Sequence, residues 1–186
     1  MDSGESSYRR FLEGDESAFD EIVDMLFFKL VFFVNGYVHD VHAAEDIATD
    51  AISELFANKK RYNFKVSLKT YVFMIGKSKA LNYIKRKKLI STVSFCDSEP
   101  TDSDEKLLED TVLESEKKRI VHKALGQLKG ELQTVLHLVY FEEMSIEEAA
   151  KVMNKSKKQV YNLIYRAKNE MRIALAKEGI TDEGYI

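Results

Sequence analysis

Apolar residues recur at helical spacing along most of this 186-residue chain. The first long run begins near Asp15. Phe19, Ile22, Val23, Leu26, Phe27, Leu30, Val31, Val34, Tyr37 and Val38 keep the spacing of a helix with a wide buried face. The segment HAAEDIATDAISELFAN predicts a second helix, with Ile47, Ala48, Ala51, Ile52, Leu55 and Phe56 inside. Its outer side presents Glu45, Asp46, Asp50 and Glu54 with no base among them. From Ser67 to Lys88 the period is ambiguous after Gly76, so one helix or two can span it. Near the other end, Ile120, Val121, Ala124, Leu125 and Leu128 form one stripe, and Leu132, Val135, Leu136, Val139 and Tyr140 a second. No alternating β-branched run stands out, and a single Pro and eight Gly leave long helices uninterrupted. The pattern predicts an all-α fold.

Two further helices are predicted between Ser145 and Arg172, separated by a tight turn. Ser145 and Glu148 have the spacing of a capping box, and Ile146, Ala149, Ala150 and Met153 make the inner stripe. Asn154 follows, a residue tolerated in the left-handed conformation that ends helices. Ser156 and Gln159 repeat the box, and Val160, Leu163, Ile164, Ala167 and Met171 continue inside. This is the helix-turn-helix pattern, whose second helix enters the DNA major groove. Lys157, Lys158, Gln159, Tyr161, Asn162, Tyr165 and Arg166 are left outward, where cations neutralise phosphates and amides read base edges. An ordinary helical hairpin with a solvated basic face shares the same pattern.

Charge changes the picture by its distribution. The net charge of −3 argues against a nucleic-acid partner, yet residues 55–90 carry 11 Lys or Arg and no acid. Residues 1–54 carry 13 acids against 3 bases, and residues 91–116 carry 9 against 1. The last stretch, 117–186, returns to 13 bases against 9 acids. Two basic segments separated by an acidic connector suggest two nucleic-acid contacts on one chain. In the first, cations are interleaved with Tyr62, Phe64, Tyr71, Phe73 and Tyr83, a mixture suited to unpaired strands because cations track phosphates and rings stack on bases. Some of these rings belong to the core, and either Tyr71 or Phe73 must point inward. Residues 89–115 hold the only Pro, several Ser and Thr and most of the nearby acids, the composition of a linker. Fully extended it reaches ~90 Å, enough to bridge DNA sites ~70 Å apart.

Other chemistry finds little support. Cys96 is the lone cysteine, with no paired base in view; it excludes an internal disulfide and suits a reducing cytosol. His39 and His42 are three apart, but with no companion Cys or His such a pair is more often a surface feature than a metal site; His122 and His137 stand apart. No Gly-rich phosphate loop appears. The apolar run from Met25 to Val34 contains Lys29 and is too short to span a bilayer, and MDSGESSYRR lacks a signal-peptide core. The expectation is a soluble cytoplasmic protein, not an enzyme, with no cofactor, no metal, no membrane insertion and no small-molecule substrate.

The motifs in their order resemble a bacterial RNA polymerase sigma factor of the sigma-70 family, in the extracytoplasmic-function (ECF) group that keeps only conserved regions 2 and 4. AAEDIATDAISELF resembles the helix that docks on the polymerase β′ coiled coil, implying polymerase contacts at Glu45, Asp46, Asp50, Glu54 and Phe56. SLKTYVFMIGKSKALNYIKRKK resembles the segment that opens and reads the −10 element. The resemblance implies −10 contacts at Asn63, Phe64, Lys65, Lys69, Tyr71, Lys77, Lys79, Asn82, Tyr83, Lys85 and Arg86, the first four forming a loop pocket for a flipped base. SIEEAAKVMNKSKKQVYNLIYRAK resembles the helix-turn-helix that reads the −35 element, adding Lys155 and Ser156 to the outward residues named above. The implied layout is region 2 over 1–88, a flexible acidic linker over 89–115, region 4 over 116–176 and a tail over 177–186. The implied partners are core RNA polymerase (β′ coiled coil and β flap), promoter DNA and an anti-sigma factor. The chain departs from the family pattern at Tyr71, where Trp is common, and at Lys77 and Ser78, where an Arg-Asn pair is common. It departs again at Asn82, where an acid is usual, and at Asn154, where the turn carries Gly. A free-standing helix-turn-helix regulator is the alternative; it accounts for 117–175 but not for the acid-free segment or the acidic helix before it.

Overall fold

The computed structural model describes residues 4–93, 116–128 and 130–178, the side chains of residues 91–93, 116–119 and 122 excepted. Among these residues the secondary structure is helical throughout, and the chain divides into two compact units, residues 1–103 and 104–186. The first contains α1 (Glu5–Leu12), α2 (Ser17–Val38), α3 (Val41–Ala57) and α4 (Leu68–Val93). The second contains α5 (Glu116–Gln127), α6 (Glu131–Leu136) running into a π-helical turn (His137–Phe141), α7 (Ile146–Met153) and α8 (Lys157–Lys177).

In the first unit α2 packs against α1, α3 and α4, and α3 against α4. Ile22, Leu26, Leu30, Val31 and Val34 of α2 meet Leu55 of α3 and Leu68, Val72 and Phe73 of α4 in a solvent-free core. Each such side chain contributes about 1.5–3 kcal/mol on burial. Gly76 lets α2 and α4 approach, because a Cβ there would stand 2.7 Å from Leu30 Cδ1. The corner between α2 and α3 is two residues long. His39 closes α2 in the left-handed conformation, and the Asp40 carboxylate caps α3 by accepting from the Ala43 N–H at 3.1 Å.

Several local expectations need correction. The chain begins its helical structure at Glu5, one helix earlier than the spacing suggested. Phe19, assigned to the inner stripe of α2, is partly exposed, and Phe33 is buried instead. A single uninterrupted helix, α4, runs from Leu68 through Lys88 and continues to Val93. Of the Tyr71–Phe73 pair, Phe73 points inward and is fully buried.

In the second unit α8 is the spine against which α5, α6 and α7 pack. After Leu136 the helix widens, with the Glu142 N–H donating five residues back to the His137 carbonyl at 3.0 Å. The extra residue in that turn rotates the following side chains relative to an α-helix. Leu138 is therefore fully buried, whereas Tyr140, expected inside, is 51% exposed with Lys168 Nζ 5.3 Å from its ring centre. Most of the expected linker (94–115, with Cys96), residues 179–186 of the tail and the His122 side chain lie outside the described residues.

Candidate nucleic-acid interface

The turn between α7 and α8 is built by residues close in sequence. Ser145 Oγ accepts from the Glu148 N–H at 3.3 Å, and Glu148 Oε2 accepts from the Ser145 N–H at 3.0 Å. Ser156 and Gln159 repeat the exchange at 3.3 and 2.8 Å. Between the boxes Asn154 adopts the left-handed conformation at φ 55°. Val160, Leu163 and Ala167 hold α8 to its unit. Lys158, Gln159, Tyr161, Asn162, Tyr165 and Arg166 are consequently exposed, Tyr161 by 60% and Tyr165 by 70%. Two cations of this surface already have carboxylate partners. Lys157 Nζ donates to Glu147, which holds that carboxyl below its ordinary pKa, and half-buried Lys155 pairs with Glu131 at 2.8 Å.

On α3, Glu45, Asp46 and Asp50 are exposed, and Glu45 has His42 Nδ1 at 3.6 Å. Glu54 differs from them. It is half-buried and binds Arg61 at 2.8 Å and Lys79 Nζ at 3.1 Å, tying the acidic helix to the basic segment. Phe56 does not join the acidic face. It is only 9% exposed, with the rings of Phe19 and Phe11 centred 4.3 and 4.7 Å away.

The loop between α3 and α4 is more constrained than its charge suggests. Tyr62 is buried, and its hydroxyl donates to the Val66 carbonyl at 2.7 Å, closing the loop on itself. Burial pushes the phenol pKa of Tyr62 well above its ordinary value. Asn63 Oδ1 accepts from the Lys65 N–H at 3.1 Å, an Asx turn. Phe64 sits between them at φ 58°. A left-handed residue with a Cβ costs roughly 1–2 kcal/mol, so packing must hold it there. The Tyr62 ring lies 4.6 Å from that of Phe64, and the Tyr8 ring, from α1, lies 6.1 Å away. Tyr8 is fully buried, and its single O–H proton is shared between the Leu55 and Lys59 carbonyls, each 3.3 Å away, which anchors the end of α3 and the start of the loop.

Asn63 and Lys65 are exposed, and Lys69 and Tyr71 are half-buried, the Tyr71 ring 5.1 Å from that of Tyr62. Along α4, Asn82, Lys85 and Arg86 are exposed, whereas Lys77, Lys79 and Tyr83 are half-buried; Lys87 Nζ stands 6.0 Å from the Tyr83 ring. The structure thus gathers the loop residues but makes Phe64 part of a ring cluster, not a free platform. Sequence spacing missed Tyr8, Arg9 and Arg61. The aromatic pair Tyr8 and Phe11, three apart, was the available signal for α1.

Residues 23–90 match the family model "Sigma-70 region 2", from within α2 through most of α4. Residues 118–171 match "Sigma-70, region 4", from α5 through most of α8. The chain is 25% identical over 168 residues to the ECF RNA polymerase sigma factor SigW of Bacillus subtilis, covering 86% of this chain and 90% of that one. It is 29% identical over 174 residues to the RNA polymerase sigma-H factor of Pseudomonas aeruginosa, covering 89% and 90%. Its fold is similar to that of the sigma factor RpoE from Bartonella quintana, solved in complex with the anti-sigma factor NepR, with a TM-score of 0.73, 17% identity and coverage of 85% and 96%. A free-standing regulator would leave the whole first unit and its match unexplained. The chain therefore belongs to the sigma-70 family and is an ECF sigma factor, a promoter-recognition subunit for bacterial RNA polymerase.

Proposed function

We propose that this subunit works through three surfaces of its own, in a layout of region 2 (1–88), linker (89–115), region 4 (116–176) and tail (177–186). Glu45, Asp46 and Asp50 on α3 meet the basic side of the polymerase β′ coiled coil. The loop residues Asn63, Phe64 and Lys65, with Lys69 and Tyr71, take up an unpaired −10 base, and Lys77, Lys79, Asn82, Tyr83, Lys85 and Arg86 carry the adjoining strand. The start of α8, with Lys155, Ser156, Lys157, Lys158, Gln159, Tyr161, Asn162, Tyr165 and Arg166, enters the −35 major groove, while region 4 meets the β flap. Unstacking a base costs a few kcal/mol, which ring stacking and backbone neutralisation offset. Family members are non-enzymatic initiation subunits, and bond formation belongs to the polymerase. An anti-sigma factor is a further partner, in keeping with the RpoE–NepR complex, and the working compartment is the cytoplasm; among the described residues no helix is long and apolar enough to cross a membrane.

The observation that carries this reading is the contrast of charge on neighbouring helices. Exposed carboxylates line α3, and residues 55–90 leading through α4 hold 11 cations and no acid. The test is capture of core polymerase followed by promoter-directed transcription in vitro. Reversing Asp46 and Asp50 to Lys should abolish core binding while leaving the helical circular dichroism unchanged. Wild-type core affinity in the double variant refutes the α3 assignment.

A further inference from the structure

Arg9 lies on α1, outside the residues matched by the region 2 family model. Its side chain is exposed, and its guanidinium carbon stands 4.1 Å from the centre of the Phe64 ring. Phe64 is the residue that the loop holds in the left-handed conformation. The ring is also flanked by Tyr62 and Tyr8. Arg9 thus places a charged group over the ring of the strained residue at the centre of the loop.

We propose that Arg9 is part of the single-strand site, supplying a cationic plane beside Phe64 on which the unpaired −10 nucleotide is held. Guanidinium groups are suited to this double duty, because they stack on a π-face and neutralise a phosphate with the same atoms. The ring orders the guanidinium in advance, so less rotamer entropy is lost when the strand arrives. Tyr8, one residue earlier, fixes the distance. Its buried ring and its shared hydroxyl bond hold α1 to Leu55 and Lys59, so Arg9 cannot drift from the loop without unpacking the core. The strand site then extends beyond the acid-free segment to a helix some fifty residues earlier in the chain.

The inference rests on the reading of the 62–67 loop as the −10 pocket, and the test separates the two. Holoenzyme made with wild type, Arg9→Ala, Arg9→Lys and Phe64→Ala is titrated with a single-stranded DNA selected from a random pool by the wild-type holoenzyme. Affinity is measured across a series of salt concentrations, alongside core binding and thermal unfolding. Arg9→Ala should weaken binding about tenfold and make the log–log salt slope shallower by about 0.7, the value for one lost backbone contact on a single strand. Arg9→Lys keeps the charge and loses the plane, so it should retain the slope and lose roughly threefold. Core affinity and melting temperature should stay at wild-type values in both. Wild-type DNA affinity in Arg9→Ala with a defect in Phe64→Ala overturns the role of Arg9 and leaves the pocket standing. Weakened binding at an unchanged slope with a lowered melting temperature reduces Arg9 to a structural brace and overturns the proposal. If Phe64→Ala binds like wild type, or no single strand is selected, the pocket reading fails and takes this inference with it.

Discussion

At the start of α8 the outward side chains stand on a regular helix whose ends are set by Ser145 with Glu148 and by Ser156 with Gln159, pairs three residues apart. The loop at 62–67 is closed by its own Tyr62–Val66 bond and Asn63 turn and is also packed by Tyr8 and Arg9, which reach it from a helix some fifty residues earlier. The first surface is displayed by local chemistry and needs packing only on its inner side. Each surface includes a non-glycine residue in the left-handed region, but Asn154 belongs to a type that tolerates it, whereas Phe64 is held by the Asn63 turn and the Tyr62 ring together with the Tyr8 ring from α1. Strain of this kind persists where the surroundings over-determine a conformation, and it accompanies preorganised sites. The difference suggests separate tasks. A duplex can be met by a rigid helix in its groove, whereas a flipped base needs a pocket assembled before it arrives.

Tyr8→Ala removes the support that α1 gives to the loop. Truncating a fully buried ring should cost about 3–5 kcal/mol, concentrated in the first unit. Denaturation of the full chain should show that unit melting early, while the second unit still binds −35 duplex. A loss below ~1 kcal/mol would mean that the loop does not depend on α1.

Phe64→Ala tests the loop without relieving its strained backbone, since alanine keeps the Cβ. Removing the ring that packs the loop and orders Arg9 should weaken binding to unpaired DNA. Open-complex formation should suffer far more than closed-complex binding, and a premelted −10 bubble should restore much of the activity. Equal loss in both complexes, with no rescue by the bubble, would make the segment a duplex-binding patch.

Asn162→Ala and Arg166→Ala probe the other surface. Each should cost about 1–3 kcal/mol at a −35 site and relax preference at one base position, with stability nearly unchanged because both side chains are exposed. Unaltered ranking of −35 mutant promoters would rule out α8 as the reader. The smallest effect is expected at the cap. Ser156→Ala should lower stability by about 1 kcal/mol and weaken duplex binding without altering the order of preferred sequences. A changed order would mean that Ser156 itself meets a base.

Much of this molecule was determined by residues a turn or two apart. The helical class, the inner stripe of α3, both capping boxes, the left-handed Asn154 and the exposed row on α8 all follow from spacings of seven residues or fewer, because helix periodicity and caps are local physics. The basic character of 55–90 is likewise a property of composition. Which rings face solvent depends on long-range packing. Tyr62, Phe64, Tyr71 and Phe73 are chemically alike in sequence, yet their exposure depends on what α1 and α2 place against them. Glu54 became an ion-pair bridge for the same reason, through partners brought to it by the loop and by α4. The π-helical turn that turned Tyr140 outward and Leu138 inward has no three-to-four-residue signature, since it breaks the period by which helices are read. Phe64 is held at a positive φ by neighbours within the loop and by contacts from α1, and no short window of sequence around Phe64 contains Tyr8 or Arg9.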